Sequence, residues 1–123
     1  MNEHRDLPEE LDREIQRKHF IRAAFLAKEM KRPEDEVKDL QRRALWQMAA
    51  LFRNPQGVKA LANQFGLSRD QVKETLEQTA QEKIREGDDK PLGPCYDLQT
   101  GKYLAFAEWL ERCIKGWEKI KLN

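Results

Sequence analysis

Glycine and proline are scarce in this chain of 123 residues, six and five respectively, so long stretches can run as helix without interruption. Disorder is expected only at the ends. Cysteine is scarcer still. Cys95 and Cys113 are too few and too far apart to make a zinc site alone, and in a reducing compartment such a pair stays as thiols, so both read as packing residues. No apolar run approaches the length of a membrane span, and the opening MNEHRDLPEE lacks the apolar core of a signal peptide, which points to a cytoplasmic protein with no membrane partner. Nor does one sign of charge prevail. With 23 basic against 22 acidic residues the formal net charge is +1, so no whole-molecule field draws the chain onto nucleic acid, and any polyanion site must be local. Catalytic spacing is missing as well: there is no phosphate-cradling glycine loop, no glycine-flanked serine, no histidine pair on one helix face and no calcium-loop run of carboxylates. The expectation is a non-enzyme without cofactor or metal.

What is present is amphipathic helix. The apolar periodicity predicts one all-α domain over residues 1–123, a five-helix bundle. Asp6 or Leu7 caps a first helix, Pro8 suits its opening turn, and Glu9 and Glu10 complement the positive end of its dipole. Leu11, Ile15, His19, Ala23, Leu26 and Met30 carry the stripe to about Lys31, with a break placed near His19. His19 reads as a partly buried histidine with a carboxylate or carbonyl partner. After Pro33 a second helix runs over 34–53, and Val37, Leu40, Ala44, Leu45, Met48, Leu51 and Phe52 give it the widest apolar face in the chain. Trp46 falls off that stripe and reads as covering a neighbouring helix. Residues 6–53 thus form an N-terminal helical pair.

The stretch from 58 to 76, VKALANQFGLSRDQVKETL, reads as helix, tight turn, helix. Val58, Leu61, Ala62 and Phe65 form one stripe; Gly66 sits where a helix ends most easily in a left-handed residue. Ser68 and Gln71 form a capping box, Leu67 can staple to Val72, and Val72, Leu76 and Ala80 continue the buried stripe. Asn54 and Pro55 start the first helix, and Gly87 stops the second, so the pair spans 55–86. Residues 58–80 resemble a helix-turn-helix, the element of many DNA-binding domains. A weaker echo lies at 23–45: Leu26 to Lys38 runs parallel to Leu61 to Lys73 at an offset of 35, with five identities, but Lys31, Arg32 and Pro33 replace Gly66, Leu67 and Ser68. A lysine in a left-handed turn costs on the order of 1 kcal/mol, so the turn of this second, degenerate unit is expected to differ.

Residues 87–101 read as a loop and 102–121 as the C-terminal helix, since Tyr103, Phe106, Leu110, Cys113, Trp117 and Ile120 keep helical spacing back to 103. A short wing-like hairpin near 95–105 is the minority alternative.

The resemblance implies that the second helix of 55–86 reads the major groove of double-stranded DNA, which would make the chain a small transcriptional regulator. Carried over, the DNA-facing positions are Ser68, Arg69, Asp70, Lys73, Glu74 and Glu77, with Arg42, Arg43, Arg53 and Lys59 as flanking cations. From 69 to 86, however, acidic residues outnumber basic ones by five to four, which is poor for approaching phosphates. The alternative is a protein-interaction scaffold that uses the helix pair only as a packing module. Its surface is the last helix, where Trp109, Trp117 and Ile120 are the expected partner or homodimer interface.

Overall fold

The structure is a computed structural model, in which residues 6–117 are described. The chain divides into two compact units, Met1–Ala44 and Leu45–Asn123. The elements are helices α1 (Leu7–Gln16), α2 (Phe20–Glu29) and α3 (Glu34–Trp46), a π-helical turn (Gln47–Leu51), helices α4 (Pro55–Phe65) and α5 (Arg69–Arg85), a 3-10 turn (Lys90–Leu92), strands β1 (Cys95–Asp97) and β2 (Lys102–Leu104), and helix α6 (Phe106–Lys115). The fold is mostly helical, with six α-helices among the described residues rather than five. No described helix is long and apolar enough to cross a membrane.

In the first unit, Asp6 caps α1 through a hydrogen bond that its Oδ1 accepts from the Glu9 amide at 3.3 Å. The helix then stops at Lys18, which takes a left-handed φ of 61°, while the His19 amide donates back to the Glu14 carbonyl at 2.9 Å. That six-to-one closure ends the helix and explains the break near His19. His19 keeps a carboxylate partner, its Nδ1 lying 2.9 Å from Glu14 Oε2, but it is the carboxylate that is buried and the imidazole that is exposed. Leu11, Ala23, Ala24, Leu26, Ala27, Val37, Leu40 and Ala44 are buried.

The second unit is centred on Leu45, Val58, Val72 and Leu76, the largest fully buried side chains. Burial of each stabilises the fold by about 1.5–3 kcal/mol. Its first departure from the sequence reading is at Gln47–Leu51. A π turn inserts a residue into the helical repeat and rotates everything after it by about one position. Ala49 and Ala50 therefore enter the core, while Leu51 and Phe52, expected inside, are exposed. Trp46, expected off the stripe, is buried with its ring centroid 5.2 Å from that of Phe106.

The second departure is the hairpin. Residues 95–104 are not a lead-in to the last helix: β1 and β2 pair antiparallel, with Cys95 opposite Leu104, Tyr96 opposite Tyr103 and Asp97 opposite Lys102. The turn closes on Asp97, whose carbonyl accepts from the Gly101 amide at 2.8 Å and whose carboxylate accepts from the Thr100 amide at 2.8 Å. Tyr103 lies three residues before Phe106, so strand and helix happen to share a spacing. The last helix consequently begins at Phe106 and not at 102.

Candidate interaction surface of the second unit

Asn54 caps α4, its side chain accepting from the Gly57 amide at 2.9 Å, and Pro55 occupies the first turn. Val58, Leu61 and Ala62 are buried. At the far end Gly66 adopts φ 73° and ψ 32°, and the Leu67 amide donates to the Ala62 carbonyl at 2.8 Å. α5 then starts on a reciprocal capping box: the Ser68 amide donates to Gln71 Oε1 at 2.8 Å, and the Gln71 amide donates to Ser68 Oγ at 3.2 Å. Val72, Leu76 and Thr79 form its inward stripe. Thr79 takes the place expected of Ala80. Its hydroxyl donates to the Thr75 carbonyl at 2.8 Å, which lets a polar residue be buried there.

The outward side of α5 carries the positions singled out for DNA. Ser68 is exposed but its Oγ is engaged in the cap. Arg69 Nε lies 3.7 Å from the carboxylate of its neighbour Asp70. Lys73 Nζ sits 2.9 Å from Glu77 Oε2, and Glu74 accepts from Gln78 Nε2 at 3.4 Å. Glu74, Glu77, Gln78, Gln81, Glu82 and Arg85 continue along one open face of the helix. With Lys73 paired to Glu77, this stretch holds three carboxylates and two cations and carries no excess of positive charge.

The flanking cations are turned to internal use. Arg53, at a left-handed φ of 48°, sends Nε to the Ala50 carbonyl at 3.4 Å, Nη1 to Leu104 O at 3.0 Å, and Nη2 to Pro91 O at 3.1 Å and Gly93 O at 2.9 Å. Its guanidinium also lies 5.5 Å from the Phe106 ring centroid and 5.8 Å from that of Trp109, as a cation over an aromatic face. Burial pushes its pKa below the ordinary guanidinium value, opposed by nearby Cys95. Lys59 Nζ donates to the Trp117 carbonyl at 2.7 Å and stands 5.9 Å from the Trp117 ring centroid. In the first unit, Arg42 and Arg43 both pair with Asp39, at 2.8 and 2.9 Å.

Of the residues expected to form an interface on the last helix, Trp109 is placed elsewhere by the structure. Trp109 is 4% exposed, its ring stacked 5.9 Å from Phe106 beneath Arg53, so it belongs to the core. Trp117 is half-buried beside Lys59, and Ile120 lies outside the described residues. Exposed aromatic surface is found instead on the hairpin. Tyr96 and Tyr103 face each other across the strands with centroids 5.4 Å apart, 55% and 71% exposed, and Leu98 at the tip is 89% exposed. Sequence reasoning missed this surface because it extended a helical period through Tyr103. The signal that marks it is the Asp97-to-Gly101 turn between alternating residues.

Among the described residues no group of three His, Cys, Asp or Glu side chains is placed to hold a metal ion. The arrangement offers apolar and aromatic contact on the hairpin and a helix face of mixed charge. In comparisons with known proteins the chain matches no family model, no curated protein and no solved structure.

Proposed function

We propose that the second unit is a protein-interaction module in which the α4–α5 pair, a helix-turn-helix by its local connections, serves as packing and the hairpin presents the contact surface. The observation that carries this reading is the fate of the cations. Arg53 and Lys59, the flanking groups that DNA binding needs, are held by backbone carbonyls and aromatic rings, and α5 is left with an outer face that has no excess of positive charge. Such a face gives a duplex no net electrostatic attraction. Tyr96, Tyr103 and Leu98 are the kind of residues that anchor protein interfaces, since tyrosine brings large contact area with little side-chain entropy to lose. This reading gives the chain the role of an adaptor in the cell interior, without catalysis.

A second reading, a DNA-binding regulator, is favoured by one specific observation. The left-handed Gly66, the capping box on Ser68 and a hairpin following α5 stand in the order of a helix-turn-helix with a wing. A salt titration against random-sequence duplex DNA separates the two. The adaptor reading expects no binding even at low salt. Binding at micromolar or tighter affinity overturns it; if Arg69→Ala with Lys73→Ala then makes the salt slope shallower by about one to two units, α5 is the reading helix.

A further inference from the structure

We propose that the hairpin opens and closes as a unit on the guanidinium of Arg53, which acts as a clasp across its base. Strands of three residues are too short to hold a two-stranded sheet on their own in water, so something outside the ladder must fix it. The bonds of Arg53 are placed for that. Nη2 reaches Pro91 O and Gly93 O just before β1, and Nη1 reaches Leu104 O at the end of β2, so one fork spans both the entry and the exit of the hairpin. The clasp is anchored on its own side by the bond from Nε to Ala50 O and by the left-handed backbone that follows the π turn. Its partners are carbonyl oxygens rather than a carboxylate. Opening therefore strands no buried counter-charge: water takes over the carbonyls and the guanidinium together. This device does not depend on which partner the hairpin meets.

The two free thiols provide the readout. Cys95 sits inside the clasp, half-buried, its Sγ 3.8 Å from Gly93 O, whereas Cys113 lies on α6 at 5% exposure, where burial pushes its pKa up to about 11. Cys95 reports opening of the hairpin and Cys113 reports opening of the core. The experiment is time-resolved labelling of the intact chain with a thiol-reactive probe, each cysteine being followed by peptide mass, in the wild type, Arg53→Lys and Arg53→Met. The expected result is that Cys95 reacts more slowly than in the unfolded chain but ahead of Cys113. Arg53→Met should then raise the Cys95 rate about tenfold or more, with Arg53→Lys between, and that rate should respond little to low denaturant, whereas the Cys113 rate should rise steeply with it. Both variants keep the left-handed backbone non-glycine, so its strain cancels. The denaturant response covers a variant that loses global stability, because exposure of Cys95 by global unfolding would carry the steep dependence seen at Cys113. A Cys95 rate that does not rise in Arg53→Met, a Cys95 rate as steep in denaturant as that of Cys113, or a wild-type Cys95 that reacts at the rate of the unfolded chain, overturns the clasp.

Discussion

Lys31 and Gly66 end their helices in the same left-handed conformation, φ 58° and 73°, thirty-five positions apart in the sequence. The closing hydrogen bonds match: the Arg32 amide donates to Ala27 O at 3.0 Å, and the Leu67 amide donates to Ala62 O at 2.8 Å. Ala27 and Ala62, which occupy corresponding positions, are both fully buried. The internal echo of the sequence is therefore also an echo of backbone geometry, although one copy has the residue that suits the turn and the other does not. Where Leu67 packs in one copy, Arg32 forks onto Glu36 in the other, with Nε to Oε2 at 2.6 Å and Nη2 to Oε1 at 2.9 Å.

Gly66→Ala should destabilise the protein by roughly 1 kcal/mol. A Cβ built there meets no atom within 4 Å, so the whole effect comes from the backbone conformation and none from a clash. Thermal melts of the two proteins check it. A midpoint that stays or rises would mean that the chain does not turn at Gly66.

Lys31→Gly should act in the opposite direction. Relief of the left-handed strain, on the order of 1–2 kcal/mol, is offset in part by the greater freedom of glycine in the unfolded chain, about 0.4–1 kcal/mol. A net gain of roughly 0.5–1 kcal/mol in denaturant unfolding is expected. Loss of stability would show that the Lys31 side chain contributes more than its backbone costs.

Four places separate what the residues make legible from what they do not. The α4–α5 pair was readable residue by residue, because Asn54, Pro55, Gly66, Ser68 and Gln71 each meet a local requirement of helix ends, and local requirements are written in neighbouring residues. The break at Lys18 could be placed only loosely, since a lysine carries no mark of a left-handed turn. The π turn at Gln47–Leu51 was invisible: its cause lies in packing, where a small pair, Ala49 and Ala50, goes inward and Leu51 and Phe52 go out. Arg53 was misread for a related reason. Its partners Pro91, Gly93 and Leu104 are 38, 40 and 51 residues downstream, and all of them are backbone carbonyls whose identity no side chain announces.

Asp39→Asn should lower stability at neutral pH and cease to do so in acid. Burial alone would raise the Asp39 pKa, but the hydrogen bond from Arg42 and the charges of Arg43 and Arg42 outweigh it and hold the carboxyl below its ordinary range. A group with a depressed folded pKa contributes stability above the unfolded value, near 4, and the contribution is lost as pH falls through the folded value. With the side chain 40% exposed, screening limits the effect to roughly 0.5–1 kcal/mol. Melting midpoints from pH 7 to pH 3 give the comparison. A gap between the two proteins that widens toward low pH would contradict the sign.

Trp109→Ala separates a core role from an interface role on the last helix. The indole is buried beside the Phe106 ring, with the Arg53 guanidinium over both, so its removal leaves a cavity and takes one of the two rings from the cation. The expected cost is about 3–5 kcal/mol, a large part of the stability of a protein of this size. It should appear as a lower denaturation midpoint that does not depend on protein concentration. If Trp109 were instead an intermolecular anchor, the variant would keep its stability as an isolated chain, and sedimentation would show a loss of association. A stable Trp109→Ala protein with reduced mass in solution would therefore take Trp109 out of the core and return it to the surface.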